Sequence, residues 1–64
     1  MKLNLLVARK KKGFTQEYLA SKLHVSRVMY NRYERGKTEI PVDNAKVLCE
    51  LLELSLESIY DDTI

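Results

Sequence analysis

The sequence contains few of the residues that form disulfides, bind metals or span membranes. Cys49 is its single cysteine and His24 its single histidine, so the chain can form no internal disulfide and shows no cluster with metal-ligand spacing. One cysteine is compatible with a reducing cytosol, and we expect a cytoplasmic protein. The longest apolar run, residues 5–8, is far too short to cross a bilayer or to form a signal-peptide core.

Signals for catalysis are also scarce. The chain has two glycines and no Gly-rich phosphate loop. Cys49 falls on a predicted helix where small apolar residues fit, which favours a buried thiol over a nucleophile. Asp61 and Asp62 are adjacent, which does not favour a carboxylate dyad, and the tyrosines are too scattered to form a stacking platform for single strands. We therefore expect neither an enzyme nor a bound cofactor.

Charge is plentiful, and it is unevenly distributed. Residues 1–37 carry ten basic and two acidic side chains, whereas residues 38–64 carry one basic and seven acidic ones. The first part therefore has a net charge of +8 and the second a net charge of −6. A basic end of this kind attracts a polyanion, although the same charges are compatible with solvated helix faces that bind nothing.

Apolar residues recur at helical spacing, and a repeated signal marks where helices begin. Thr15, Ser26 and Ser55 each follow an apolar residue and precede another by four positions, which predicts a capping hydroxyl and a hydrophobic staple. Asp43 gives a fourth, weaker signal that Pro41 can shift by one residue. The spacing predicts five helices, at about residues 2–12, 16–23, 27–35, 43–53 and 56–61.

The length predicts one small all-α domain, residues 1–64, because a chain this short buries only about 60% of its unfolded surface. The spacing places these residues in the core: Leu5, Ala8, Leu19, Leu23, Val25, Tyr30, Tyr33, Leu48, Leu52, Leu56 and Ile59. Leu3, Leu6 and Val7 lie off the stripe formed by Leu5 and Ala8. We expect the last helix to cover them, and a contact with a partner is the alternative.

Two short helices separated by His24-Val25-Ser26 form the most informative segment. Ala20 lies midway along the first of them, where a second helix crossing at a steep angle needs a small side chain. This arrangement over about residues 16–35 is typical of a helix-turn-helix. Its second helix, here about residues 27–35, lies in the major groove of DNA.

The motifs in and around this segment closely resemble the phage-repressor/Cro-like (XRE-like) helix-turn-helix family. The matching runs are Phe14-Thr15-Gln16-Glu17-Tyr18-Leu19-Ala20, Leu23-His24-Val25-Ser26-Arg27, Arg32-Tyr33-Glu34-Arg35-Gly36-Lys37 and Ile40-Pro41-Val42, followed by Leu48, Leu52, Leu54, Ser55, Leu56 and Ile59. The resemblance covers about residues 3–60. It implies a compact five-helix, lambda-repressor-like fold. It also implies a prokaryotic or phage-encoded transcriptional regulator that binds a double-stranded DNA operator, and a repressor is the favoured role.

Two positions depart from the family pattern. His24 and Glu53 stand where the family usually has glycine. Histidine tolerates a left-handed backbone better than β-branched residues do, at some energetic cost. Because Glu53 replaces the usual glycine, we expect the fourth helix to end differently from that of the family.

If Tyr30 and Tyr33 face the core, helix geometry turns another set of side chains towards DNA. The residues predicted to read bases are Arg27, Val28, Asn31 and Arg32. Arg27 is the first choice because a guanidinium can bond guanine O6 and N7 together, with a phosphate contact as the alternative. Val28 has no donor, so it contacts a thymine methyl or shapes a void. Asn31 pairs with adenine or stays solvated, and Arg32 contacts a base or a phosphate.

A second set of residues is predicted to contact phosphate and position the domain. These residues are Gln16, Ser26, Met29, Arg35, Lys37 and Thr38. Met29 faces the groove or packs at its rim. The resemblance implies that Gln16 contacts the DNA backbone and supports the recognition helix. It also implies an ion pair between Arg9 and Glu34, across the first and third helices, with a structural role.

One domain contacts one half-site, so a palindromic operator requires two copies. We expect a weak homodimer formed through Leu56, Ile59, Tyr60 and Ile64, unless these residues simply complete the core. No membrane, metal ion or small-molecule effector is expected as a partner. The alternative function is a helical protein–protein interaction module, or an antitoxin-type protein that binds a partner with the same scaffold.

Overall fold

Five α-helices account for most of the chain in the computed structural model, which describes residues 1–61. The helices are α1 (Leu3–Lys12), α2 (Gln16–Leu23), α3 (Arg27–Glu34), α4 (Val42–Leu52) and α5 (Leu56–Tyr60). No strand occurs within residues 1–61. The predicted all-α, five-helix fold is confirmed, and each predicted helix end lies within one residue of its observed position.

Local hydrogen bonds explain where three of these helices begin. The hydroxyls of Thr15, Ser26 and Ser55 accept hydrogen bonds from backbone amides three residues further on, at 3.0, 3.0 and 3.1 Å. α4 has no side-chain cap and follows Pro41, whose φ of −59° already suits the first turn. The predicted start at residue 43 is therefore one residue late, and Asp43 lies within the first turn.

Two helices end at residues with a left-handed backbone that are not glycine. His24 follows α2 with φ 58°, as expected for the turn, and Glu53 follows α4 with φ 55°. Glu53 thus adopts the left-handed backbone for which glycine is usual at this position. The expectation that α4 ends differently from the fourth helix of the family is therefore wrong. The Glu53 amide donates to the Cys49 carbonyl oxygen, and the Glu53 carboxylate pairs with Lys12 of α1. Both endings carry a backbone strain that glycine avoids.

The core draws on every helix. Its largest fully buried side chains come from all five helices and from the loop before α4: Leu5, Leu19, Tyr30, Ile40, Leu48 and Ile59. Most predicted core positions are buried, and Val25 and Leu56 pack against the core while remaining partly exposed. Ile40 was not among the predicted core residues, because it lies in a loop and is covered only in the folded chain.

α5 packs beside the start of α1, where Lys2 Nζ donates to the Ile59 carbonyl oxygen at 2.8 Å. Leu3 and Val7 nevertheless remain 42% and 43% exposed. The prediction that the last helix covers this side of α1 is therefore wrong for these two residues, because α5 is only five residues long. None of the helices in the described part of the chain is long and apolar enough to cross a membrane.

Candidate nucleic-acid interface

The turn between α2 and α3 is fixed by local interactions. The Val25 amide donates to the carbonyl oxygen of the buried Ala20 at 3.0 Å. The left-handed backbone of His24 redirects the chain, and the Ser26 hydroxyl then caps α3. These interactions determine how α3 is presented to solvent.

α3 has one sealed face and one open face. Tyr30 and Tyr33 are 0% and 4% exposed, and their rings meet edge to face with centroids 6.5 Å apart. On the other side Arg27, Val28 and Arg32 are exposed, and Val28 reaches 73%. α3 therefore presents to solvent three of the four side chains that were predicted to read bases.

A chain of hydrogen bonds connects α1, α2 and α3 beside this open face. Arg9 donates to both carboxylate oxygens of Glu34, from Nε to Oε2 at 2.7 Å and from Nη2 to Oε1 at 3.2 Å. Gln16 Nε2 donates to Glu34 Oε1 at 3.1 Å, and Asn31 Nδ2 donates to Gln16 Oε1 at 3.3 Å. Asn31, the fourth predicted base reader, is half-buried and bound into this network.

Glu34 is the centre of the network. Its side chain is 5% exposed, and three N–H groups of Arg9 and Gln16 satisfy its carboxylate. Arg9 also donates from Nη1 to the Phe14 carbonyl oxygen at 3.0 Å. The hydrogen bond to Glu34 raises the pKa of the Arg9 guanidinium, while burial opposes this rise. This two-point pair joins α1 to α3, and it also holds Gln16 in one orientation.

The hydroxyl of Tyr30 is buried and lacks a partner. No group among the described residues meets hydrogen-bond geometry with it. Burial raises the pKa of this phenol, and the Glu34 carboxylate is close enough to raise it further. The hydroxyl therefore stays neutral in the folded protein well above physiological pH.

Three basic side chains and a threonine surround the C-terminal end of α3. Arg32 Nε donates to Thr38 Oγ1 at 3.0 Å, which leaves the two terminal nitrogens of this guanidinium open. Arg35 and Lys37 are exposed, and their side chains bond to no other described residue. The structure thus places Thr38 beside Arg32, where the sequence had placed it only after the helix.

Two of the predicted positioning residues serve the fold directly. The Ser26 hydroxyl accepts from the Met29 amide as the helix cap. The Met29 side chain packs against the core while partly exposed, which is the rim packing that the sequence left open. The role that the structure gives the Ser26 side chain is therefore that of the α3 cap.

Two shallow clefts open beside the network, and both include Gln16 and Arg27. The larger, of about 560 Å³, is lined by Arg9, Phe14, Thr15, Gln16, Glu17 and Arg27, and the smaller, of about 300 Å³, by Gln16, Arg27, Val28 and Asn31. The larger cleft combines the N-terminus of α2 with the Arg27 guanidinium, which is unpaired within residues 1–61, and this arrangement suits a phosphate. Arg9 lines this cleft, but its guanidinium is already bonded to Glu34 and Phe14, so its role stays structural.

The residues predicted to form a dimer contact have different environments. Ile59 is fully buried and cannot meet a second copy, so the prediction is wrong for this residue, which completes the core. Leu56 is half-buried, and Tyr60 is half-buried with its hydroxyl donating to the Ile40 carbonyl oxygen at 2.9 Å. Ile64 lies outside the described residues.

Residues 1–61 contain no arrangement typical of a metal or thiol active site. No three of their His, Cys, Asp or Glu side chains lie together in a way that could hold a metal ion. Burial raises the pKa of the Cys49 thiol, which makes its nucleophilic thiolate form scarcer.

A known family model matches nearly the whole chain. Residues 5–59 match a family model described as helix-turn-helix, and this range contains the network and both clefts. Comparisons with curated proteins and with solved structures gave no match.

Proposed function

The chain belongs to the phage-repressor/Cro-like helix-turn-helix family, which binds DNA and is not enzymatic, and on this premise we propose a more specific function. The protein is a sequence-specific transcriptional regulator of the cytoplasm, acting as a repressor, that places α3 in the major groove of an operator. The open face of α3 carries this proposal, because Arg27, Val28 and Arg32 are exposed while the tyrosine face is sealed.

Arg27 makes the main base contact in this proposal. It is the first residue of α3, and its guanidinium bonds to no other described residue. A free guanidinium can approach O6 and N7 of a guanine together. Arg32 keeps its terminal nitrogens for a base or a phosphate. Asn31 donates to Gln16, so it supports the reading face more readily than it reads adenine.

Phosphate contacts position α3 in the groove. Gln16 opens α2, where backbone amides lack partners within the helix. Arg35, Lys37 and Thr38 follow α3 and contact the backbone beyond it. The net charge of +8 on residues 1–37 supplies attraction that does not depend on sequence. A small domain that covers its operator can repress by occupancy alone, which is why we propose repression.

Two copies bind a palindromic operator as a weak dimer in this proposal. The half-sites lie about 34 Å apart, the distance of one helical turn of DNA. Leu56 and Tyr60, both half-buried on α5, are the contact residues within the described chain. Two half-buried side chains form only a small contact. We therefore propose that association is weak without DNA and stronger on DNA.

A protein-binding role is the second candidate, and one surface favours it. A groove of about 480 Å³ between α1 and the end of α4 is lined in part by the half-exposed Leu3 and Val7 and by Lys11. An interaction module or an antitoxin-type protein would bind its partner at such an apolar surface. This groove does not include the exposed residues of α3, so the two roles are physically compatible.

Selection of bound sequences from a random duplex library tests the proposal. We expect the protein to enrich a motif with two-fold symmetry, with an affinity that falls steeply as salt rises. Arg27→Ala should lose the preference at one base pair, worth about 1–3 kcal/mol. Lys46→Ala, which removes the single basic residue of residues 38–64, is the matched control and should keep it. No enriched motif, or an unchanged preference in Arg27→Ala, contradicts the proposal.

A further inference from the structure

Val28 is the most exposed large apolar side chain of residues 1–61, at 73%. It does not pack against the core, and a β-branched residue is a poor choice for helix stability alone. A single exposed apolar residue is common on protein surfaces and proves nothing by itself. Its position is informative, because Val28 is the second residue of α3, at the end that enters the groove deepest.

Two of the three polar side chains around Val28 are engaged in hydrogen bonds. Val28 lines the smaller cleft with Gln16, Arg27 and Asn31. Asn31 donates to Gln16, and Gln16 in turn donates to the buried Glu34. Among the three polar residues of this cleft, only Arg27 has a side chain without a hydrogen bond or ion pair to the rest of the described chain. The cleft therefore presents one free cation beside one apolar surface.

We propose that Val28 forms a methyl-reading subsite that contacts the C5 methyl of a pyrimidine, either thymine or 5-methylcytosine, next to the base pair read by Arg27. This inference rests on the proposed function and names the chemical group read there. The C5 methyl is the apolar group that base edges display in the major groove. Unmodified cytosine has only a hydrogen at this place, whereas 5-methylcytosine carries the methyl at the same carbon.

A methyl-reading subsite makes the protein sensitive to the C5 methyl on either of two pyrimidines. Replacing the contacted thymine by uracil removes the methyl and leaves every hydrogen-bonding group in place. Replacing it by 5-methylcytosine keeps the methyl and changes the base pair. Burial of one methyl-sized group corresponds to about a fourfold change in affinity. Val28 therefore gives discrimination between thymine and uracil, and between 5-methylcytosine and cytosine, by the same contact.

The test uses the full chain and the duplex enriched from the random library. Each thymine of one half-site is replaced singly by uracil, and dissociation constants are measured by fluorescence anisotropy at fixed salt. At the critical position, a cytosine–guanine pair is then compared with and without the C5 methyl. The variants are Val28→Ala and, as the matched control, Val42→Ala, an exposed valine at the start of α4.

We expect one thymine whose replacement by uracil weakens the wild-type protein about fourfold. At that position 5-methylcytosine should bind about fourfold better than cytosine. Both ratios should fall below about twofold in Val28→Ala and stay unchanged in Val42→Ala. Specific binding with ratios that Val28→Ala does not alter, or an enriched half-site without thymine, overturns the subsite and leaves the regulator proposal intact. Absence of any enriched sequence overturns both.

Discussion

Arg9 of α1 and Glu34 at the end of α3 are joined at two points, from Nε to Oε2 at 2.7 Å and from Nη2 to Oε1 at 3.2 Å. The same carboxylate accepts a hydrogen bond from Gln16, which opens α2. A polar contact therefore sets how α3 sits against the two preceding helices. The consequence is that the recognition helix depends on a side chain outside the helix-turn-helix.

A double-mutant cycle on Arg9→Met and Glu34→Gln measures this dependence. Each single change should lower the free energy of unfolding by about 2 kcal/mol, because it leaves a largely buried charged group without its partner. The coupling should be about 1 kcal/mol or more, since both side chains belong to one network. Urea unfolding gives the values. The same cycle on the exposed pair of Lys12 and Glu53 is the control, with weak coupling expected. Near-zero coupling between Arg9 and Glu34 would remove the structural role.

Backbone strain at the turn of the helix-turn-helix gives a second prediction. His24 has φ 58°, so His24→Gly should raise the free energy of unfolding by about 1 kcal/mol. Gly13 provides the reverse control, because a Cβ added there meets no atom within 4 Å and adds only backbone strain at φ +75°. Gly13→Ala should lower stability by about 1 kcal/mol. Thermal unfolding is the measurement, and shifts of the same sign in both variants would contradict the prediction.

The buried hydroxyl of Tyr30 predicts a loss of stability at alkaline pH. Burial raises the pKa of Tyr30 in the folded protein, whereas in the unfolded chain it is about 10. The stabilising effect is therefore fully present below about pH 10 and is lost as the pH rises towards the folded-state pKa. Tyr30→Phe should lose less stability than wild type between about pH 10 and 12.

At neutral pH Tyr30→Phe should stay within about 1 kcal/mol of wild type, because the hydroxyl has no hydrogen-bond partner to lose. Tyr18→Phe, which removes the hydroxyl of a partly exposed tyrosine, is the matched control. Urea unfolding across the pH range provides the comparison. If Tyr30→Phe and wild type lose stability equally at high pH, the hydroxyl is not the responsible group.

The helices could be located from the sequence because the signals that start them are local. The hydroxyls of Thr15, Ser26 and Ser55 bond to amides three residues away, so residue type and spacing suffice. The burial of Ile40 and the exposure of Leu3 depend on which distant helices meet them. No local pattern contains that information.

The candidate site divides in the same way. The open face of α3 follows from placing Tyr30 and Tyr33 inside, so the exposure of Arg27 and Val28 could be predicted from helical geometry. The bond between Asn31 and Gln16 could not be, because it depends on how closely α2 and α3 cross. Helical spacing alone therefore could not show that the Asn31 side chain is bonded to Gln16.

Association of two copies should be weak without DNA and evident on DNA. We expect sedimentation velocity to give a monomer at low micromolar concentration and two copies on a selected duplex with half-sites about 34 Å apart. Tyr60→Ala should weaken the second binding event, since Tyr60 is half-buried at the proposed contact. A strict monomer in both conditions rejects the dimer without affecting recognition of one half-site.

Contact between DNA and the open face of α3 is tested most directly by mapping backbone amide chemical shifts during titration with the selected duplex. The largest changes are expected at residues 27–32 and at Gln16, with small changes along α4. Unchanged signals at residues 27–32, with the main changes at Leu3, Val7 and the rest of that groove, would contradict recognition by α3 and favour the protein-binding role.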